Sequence, residues 1–105
     1  KPTGRQFLHE AREAWGPDEV VFLNERGELT EGSFTNLFIR IGDRLMTPPL
    51  SSGLLPGTLR EELLANGMAI EHVLTARDLV AAEAIYLGNS VRGLVEAEWI
   101  GEDKP

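Results

Sequence analysis

Three short segments hold residues whose types and spacing suit a ligand. Glu31 stands within Leu29–Phe38, at a glycine-containing break between two strand-like runs, where an open turn suits a ligand-binding carboxylate. Gly57-Thr58-Leu59 opens a predicted helix, and the free N–H groups and dipole of a helix start favour an anion. Gly88-Asn89-Ser90 ends a strand-like run and can present N–H and hydroxyl donors to a phosphate. One carboxylate and two phosphate-type turns indicate a cofactor with a basic ring at one end and a phosphate at the other.

Each of these features also has an ordinary structural interpretation, which the residues alone leave open. Glu31 is either a solvated turn carboxylate or the partner of a protonated ring nitrogen, and in the second role it would keep a pyridinium charged. Residues 57–59 are also compatible with a plain helix start, and residues 88–90 with a plain turn. Lys1 is either a flexible terminal residue or a lysine that forms a Schiff base. Arg92 is either a solvated turn residue or a clamp for a substrate carboxylate.

Composition excludes several other classes of protein. The 105 residues suffice for one domain, and the net charge of −7 argues against nucleic acid or an anionic membrane as the main partner. The absence of cysteine removes disulfides, thiolate metal sites and thiol nucleophiles. His9 and His72 stand on different predicted elements without metal-ligand spacing, so no metal site is expected. No apolar run could span a membrane and no signal peptide is evident, so we expect a cytoplasmic location.

The elements that must position these residues follow a mixed α/β order rather than a regular alternation. A helix is predicted over residues 4–15, because Phe7, Leu8, Ala11 and Trp15 fall at helical spacing. Further helices are predicted over 57–65, closed by Asn66-Gly67, and from the N-cap Thr75 to about residue 82. The predicted extended segments are 20–23, 28–30, 33–41, 44–47, 68–73, 84–87 and 94–100, with a hairpin turn at Gly42-Asp43 and a turn over 88–93.

Taken in this order, the segments resemble the fold-type IV pyridoxal-phosphate enzymes. That family includes branched-chain aminotransferase, D-amino acid aminotransferase and aminodeoxychorismate lyase. The resemblance rests on Lys1–Arg5, Asp18–Asn36, Leu54–Arg60 and Gly88–Ser90, and it covers nearly the whole chain. It implies the C-terminal large domain of the D-amino acid aminotransferase-like fold, incomplete at both ends. Residues 1–105 would form a single cofactor-binding domain, without the small N-terminal domain and without the strands expected before Lys1.

The resemblance also implies a role for each matching residue and pyridoxal 5′-phosphate as the cofactor. Lys1 matches the Schiff-base lysine, and Glu31 matches the carboxylate that pairs with the pyridine nitrogen. The positions that match the two phosphate-binding segments are Gly57, Thr58 and Leu59 at the helix start and Asn89 and Ser90 at the strand end.

Within the family, the lyase subgroup is the most similar. Glu-Gly-Ser-Phe-Thr-Asn, Leu-Pro-Gly-Thr-Leu-Arg and Gly-Asn-Ser-Val-Arg-Gly resemble the lyase half of fused 4-aminobenzoate synthases. This implies conversion of aminodeoxychorismate to 4-aminobenzoate and pyruvate. An aminotransferase with the same cofactor contacts and a non-catalytic binding domain are the alternatives. We also expect a homodimer, because strands at an exposed sheet edge need a partner.

Overall fold

The computed structural model describes residues 4–10 and 19–102. These residues form eight strands and two helices. In chain order the elements are β1 (Gly4–Glu10), β2 (Glu19–Leu23), β3 (Leu29–Gly32), β4 (Asn36–Ile41), β5 (Arg44–Thr47), α1 (Thr58–Ala65), β6 (Ile70–Glu71), α2 (Ala76–Ala81), β7 (Ala84–Asn89) and β8 (Gly93–Glu102). The mixed α/β class expected from the sequence is confirmed.

Six of the strands curl into a barrel. The sheet order is β3-β2-β1-β8-β7-β4-β5-β6, and an additional pairing joins β3 to β4. All neighbours run antiparallel except β5 and β6. The closing pair is a short one, in which Glu31 of β3 stands opposite Asn36 of β4. Beyond that pair, β3 remains paired with β2 and β4 remains paired with β7, so β3 and β4 diverge immediately.

Two apolar clusters pack on the two faces of the sheet. Strand residues alternate between faces, and β4 is buried on both. Leu37 and Ile39 join one cluster with residues of β2, β3, β7, β8 and α2, whereas Phe38 packs on the other face with Leu63 of α1. Burial on both sides explains why Leu37, Phe38 and Ile39 are all apolar. Because α1 packs on β7 and β4, its N-terminus is fixed relative to both strands.

The predicted helix at the N-terminus is wrong where it can be tested. Residues 4–10 form β1, which pairs with β2 on one side and with β8 on the other; residues 11–15 lie outside the described part of the chain. The helical spacing of apolar residues was a local signal. Without β1, two neighbouring strands would each leave a row of backbone N–H and C=O groups unpaired. That long-range pairing outweighs local propensity.

Other predicted elements are confirmed with shifted bounds. The Gly42-Asp43 hairpin joins β4 to β5, with Gly42 at a φ of 64°. Gly67 follows α1 at a φ of 74°, and its N–H donates to the carbonyl of Leu64. Two predicted strands and one predicted turn require correction. The strand over 33–41 begins only at residue 36, and the strand over 68–73 shrinks to β6. The turn over 88–93 is confined to 90–92, because β7 continues through Asn89.

The outer edge of β3 is covered by the chain itself. The N–H of Leu29 donates to the carbonyl of Leu74 at 2.7 Å, and Glu28 forms an isolated bridge with Thr75. The β3 edge therefore offers no open strand to a partner, whereas β6, at the other end of the sheet, pairs only with β5 among the described strands; the homodimer stays a prediction. No helix within the described ranges is long and apolar enough to cross a membrane.

Candidate functional site

One cleft collects parts of all three segments that the sequence singled out. It has a volume of about 180 Å³ and is lined by Glu31, Ser33, Phe34, Thr35, Asn36, Leu55, Gly57 and Asn89. These residues come from the end of β3, the turn into β4, the loop before α1 and the end of β7. Because β4 lies between β3 and β7 and α1 packs across β7, the fold itself brings the three segments together.

Glu31 holds the carboxylate end of the cleft. It is the third residue of β3, and its side chain is half-buried. One carboxylate oxygen, Oε1, accepts a hydrogen bond from the N–H of Leu55 at 3.0 Å. A carboxylate can accept further hydrogen bonds at its second oxygen. Glu31 can therefore hold the loop before α1 and still accept a proton donor from a ligand.

The start of α1 also contributes to the cleft, through Gly57. Gly57 is the N-cap, and no side chain caps this helix end. By helix geometry the N–H groups of Thr58, Leu59 and Arg60 have no acceptor within the helix. Uncapped donors together with the helix dipole favour an anion at this point. Thr58 is exposed beside them, whereas Leu59 is half-buried.

Gly88 allows β7 to approach α1 closely. A Cβ at this position would lie 2.9 Å from Cδ2 of Leu59 and 2.9 Å from the carbonyl oxygen of Gly93. Both distances are too short for a real side chain, so only glycine fits without displacement. The contact fixes the end of β7, with Asn89 and Ser90, next to the start of α1.

Asn89 organises the turn after β7 with its side chain. Its Nδ2 donates to the carbonyl of Phe34 at 3.0 Å, and its Oδ1 accepts the N–H groups of Val91 and Arg92 at 3.0 and 2.9 Å. Ser90 and Arg92 are both exposed in that turn. The side chain of Asn89 is thus engaged within the protein, which leaves the backbone as its means of contacting a ligand.

Lys1 lies outside the described residues, so its predicted role is untested. The other sequence-derived residues are brought to one place: Glu31, Gly57 and Asn89 line the cleft, with Thr58, Leu59, Ser90 and Arg92 adjacent along the chain. Among the described residues, no group of three His, Asp or Glu side chains could hold a metal ion.

Asn36 is a residue of the site that sequence reasoning missed. It lines the cleft, is 5% exposed, and its Nδ2 donates to the carbonyl of Leu55 at 3.0 Å. The sequence placed it on one face of a strand beside Phe38. A signal was present, because asparagine is depleted in strands and stands here directly before the apolar run Leu37-Phe38-Ile39.

A second group of side chains fastens the loop before α1 to the turn between β2 and β3. Nδ2 of Asn24 donates to the carbonyl of Ser52 and to Oε1 of Glu28, both at 2.9 Å. The hydroxyl of Ser52 donates to the same glutamate oxygen at 3.1 Å. The loop that carries Leu55 and Gly57 is therefore held along β3 at two places, by Glu28 and by Glu31.

We expect this fastening to weaken in acid. Hydrogen bonds from Asn24 and Arg26 hold the pKa of Glu28 below its usual value of 4.5. A lowered folded-state pKa contributes stability that is present above the usual value and is lost as pH falls through the folded-state pKa. We therefore expect the free energy of unfolding to decrease less in Glu28→Gln than in the wild type as the pH is lowered through 4.5. Urea unfolding at a series of pH values on both sides of 4.5 measures this difference. Parallel curves for the two proteins would contradict this contribution of Glu28.

Comparison with known proteins identifies the family. Residues 5–99 match the family described as amino-transferase class IV. The chain belongs to the class IV aminotransferase family. Members of this family are enzymes that depend on pyridoxal phosphate. The resemblance to fold-type IV enzymes expected from the sequence is thereby confirmed.

Relatives within the class IV family carry out more than one reaction. A protein of Thermotoga maritima assigned as a branched-chain-amino-acid aminotransferase is 34% identical over 108 residues, which cover 97% of this chain and 40% of the relative. The aminodeoxychorismate lyase of Saccharomyces cerevisiae is 34% identical over 83 residues, or 74% of this chain and 22% of the lyase. The solved structure of a Mesorhizobium loti protein assigned as an amino-acid aminotransferase matches with a TM-score of 0.73 and 51% identity, over 74% of this chain and 38% of that one. The chain therefore spans less than half the length of each of these relatives.

Proposed function

We propose that this chain forms the cofactor-binding part of a pyridoxal-phosphate lyase that converts 4-amino-4-deoxychorismate to 4-aminobenzoate and pyruvate. The observation that carries the proposal is that a carboxylate, Glu31, and an uncapped helix start at Gly57 line the same cleft. A carboxylate suits a protonated ring nitrogen, and a helix start suits a phosphate. The similarity to the yeast lyase and the lyase-type motifs support the choice of reaction.

The chemistry of the cleft fits pyridoxal phosphate. Phe34 and Leu55 line it with exposed apolar surface, which suits the face of a planar ring. A Cβ at Gly57 would meet Oδ1 of Asn36, and one at Gly88 would meet Leu59 and the Gly93 carbonyl, so both glycines allow the close packing that builds the cleft. The hydroxyl of Thr35 is buried and has no hydrogen-bond partner within the described residues, although the residue lines the cleft. A buried polar group without a partner is costly, so a rotation of the Thr35 side chain that brought its hydroxyl into the cleft would let a ligand supply one.

Under this proposal each residue has a defined task. Glu31 holds a proton at the ring nitrogen, and the first-turn N–H groups of α1 with the backbone of Asn89 and Ser90 hold the phosphate. When bound, the cofactor supplies a protonated ring that accepts electrons from the reacting substrate. Lys1 attaches the cofactor covalently and carries protons to and from the substrate. Arg92, exposed in the turn that follows Asn89, binds a substrate carboxylate.

The second candidate is an aminotransferase. It is favoured by the Thermotoga maritima relative, whose similarity covers nearly the whole chain. The same cofactor contacts would then serve transfer of an amino group to a keto acid. The proposed location is the cytoplasm. The proposed assembly is a homodimer, and light scattering of the whole protein would test it by measuring the mass of the assembly.

Two assays of the purified whole protein separate these functions. With pyridoxal phosphate and 4-amino-4-deoxychorismate, a lyase releases 4-aminobenzoate and pyruvate in equal amounts. With branched-chain amino acids and a keto acid, an aminotransferase forms the new keto acid instead. Release of 4-aminobenzoate supports the proposal, and keto-acid exchange without it overturns the lyase in favour of the second candidate. A protein that gains no yellow colour with pyridoxal phosphate and is inactive in both assays would be a non-catalytic domain.

A further inference from the structure

Asn36 joins the three segments that build the cleft. Its backbone stands opposite Glu31 of β3 on one side and opposite Gly88 of β7 on the other. Its side-chain Nδ2 donates to the carbonyl of Leu55 at 3.0 Å. A Cβ at Gly57 would lie well inside the contact radius of its Oδ1. One buried residue thus touches the carboxylate strand, the end of β7 and the loop before α1.

The side chain of Asn36 has no evident purpose within the strand itself. Asparagine is depleted in strands, and burying an amide is costly unless it is hydrogen-bonded. At 5% exposure, Asn36 offsets that cost with a bond to a loop that lies 19 residues further along the chain. The bond therefore serves the position of the loop rather than the formation of β4.

The peptide group of Leu55 links the two sides of the cleft. Its N–H donates to Oε1 of Glu31, and its carbonyl accepts from Nδ2 of Asn36. Two residues later the chain reaches Gly57, whose Cα lies against Oδ1 of Asn36, and α1 begins. The planar amide of Asn36 thereby fixes how far the first turn of α1 lies from the carboxylate of Glu31.

We propose that Asn36 is a positioning residue, which sets the start of α1 at the distance from Glu31 that a ligand with a basic ring and a phosphate requires. The inference rests on the proposed use of this cleft for pyridoxal phosphate. Asn36 acts through Leu55 and Gly57, so its loss moves the phosphate-binding N–H groups without removing any of them. It also explains why position 57 must be glycine.

The test uses two probes that do not need Lys1. 4′-Deoxypyridoxine 5′-phosphate has the ring and the phosphate but no aldehyde, and 4′-deoxypyridoxine lacks the phosphate as well. In the whole protein, Asn36→Ala should weaken binding of the phosphorylated probe by about tenfold, a change of about 1.4 kcal/mol. Binding of the unphosphorylated probe should change much less. Asn66→Ala, which removes an exposed asparagine from the other end of α1, is the matched control and should leave both affinities unchanged.

A double-mutant cycle tests the contact between Asn36 and Gly57. In the wild-type background, Gly57→Ala should strongly weaken binding of the phosphorylated probe, because the new methyl group meets Oδ1 of Asn36. In the Asn36→Ala background the same change should cost clearly less, because that oxygen is gone. Additive effects of the two substitutions on binding free energy, or an equal loss of affinity for both probes in Asn36→Ala, would overturn the inference. Either result would leave the proposal that the cleft binds pyridoxal phosphate unaffected. A wild-type protein that binds neither probe would overturn the proposed function itself.

Discussion

Glu31→Gln should lower both the affinity of the whole protein for pyridoxal phosphate and its turnover. Glutamine keeps an oxygen for the N–H of Leu55, so the loop and the fold are retained. It cannot hold a proton at the ring nitrogen as a carboxylate does. Hydrogen bonds to charged groups contribute about 1.5–3 kcal/mol, so we expect affinity to fall by about tenfold to a hundredfold. Fluorescence titration gives the dissociation constant, and 4-aminobenzoate release gives the turnover.

Two further variants make the Glu31 result interpretable. Glu31→Ala removes the acceptor for Leu55 as well, and should therefore weaken binding more than Glu31→Gln. Glu62→Gln removes the same charge from an exposed position on α1 and should leave affinity and turnover unchanged. A Glu31→Ala protein that binds the cofactor as the wild type does and keeps its activity would show that the assignment of Glu31 is wrong.

Arg60→Ala should produce a large loss of stability, about 3 kcal/mol in the free energy of unfolding. The Arg60 side chain is 1% exposed, and its guanidinium donates to the carbonyl of Pro48 at 3.1 Å and pairs with Glu61 and Glu71. Both glutamates are about half exposed, at 51% and 44%, so their carboxylates regain water when the arginine is removed. The void beneath α1 and the unpaired Pro48 carbonyl remain, and these account for the loss.

The comparison of Arg60→Met with Arg60→Ala separates volume from charge. Methionine fills most of the space, and Nε of Arg60 is buried without a hydrogen-bond partner among the described residues, so its removal offsets part of the loss. Apolar replacement of a buried ion pair is often tolerated, and we expect Arg60→Met to recover most of the stability. Arg77→Ala on the exposed side of α2 is the control and should stay within about 0.5 kcal/mol of the wild type. Urea unfolding measures all three, and a loss below about 1 kcal/mol in Arg60→Ala would contradict a structural role for Arg60.

Local signals in the sequence predicted the parts of the fold that depend on neighbouring residues. The Gly42-Asp43 turn is set by two residues, and the start of α2 by a capping box between Thr75 and Asp78. The segment 4–10 could not be predicted in this way, because its structure depends on β2 and on β8, which lies more than eighty residues further on. Apolar spacing cannot report pairing between such distant strands.

The same distinction applies to the candidate site. Glu31 and the helix start at Gly57 were recognisable, because a carboxylate at a break and a glycine before a helix are local patterns. The bond from Leu55 to Glu31 spans 24 residues, and the bond from Asn36 to Leu55 spans 19. No local pattern encodes either bond, so the sequence indicated the candidate binding residues but not the residue that holds their segments together.

The candidate site lies where the barrel closes, at the pairing of β3 with β4. Glu31 and Asn36 form that pair, and both line the cleft. A ligand that binds the closed barrel and not an opened form shifts the equilibrium towards closure in proportion to its concentration relative to its dissociation constant. For such a ligand, occupancy of the cleft would be coupled to the opening of β3 and β4, and the hydrogen exchange of their amides would report ligand binding whether or not catalysis occurs.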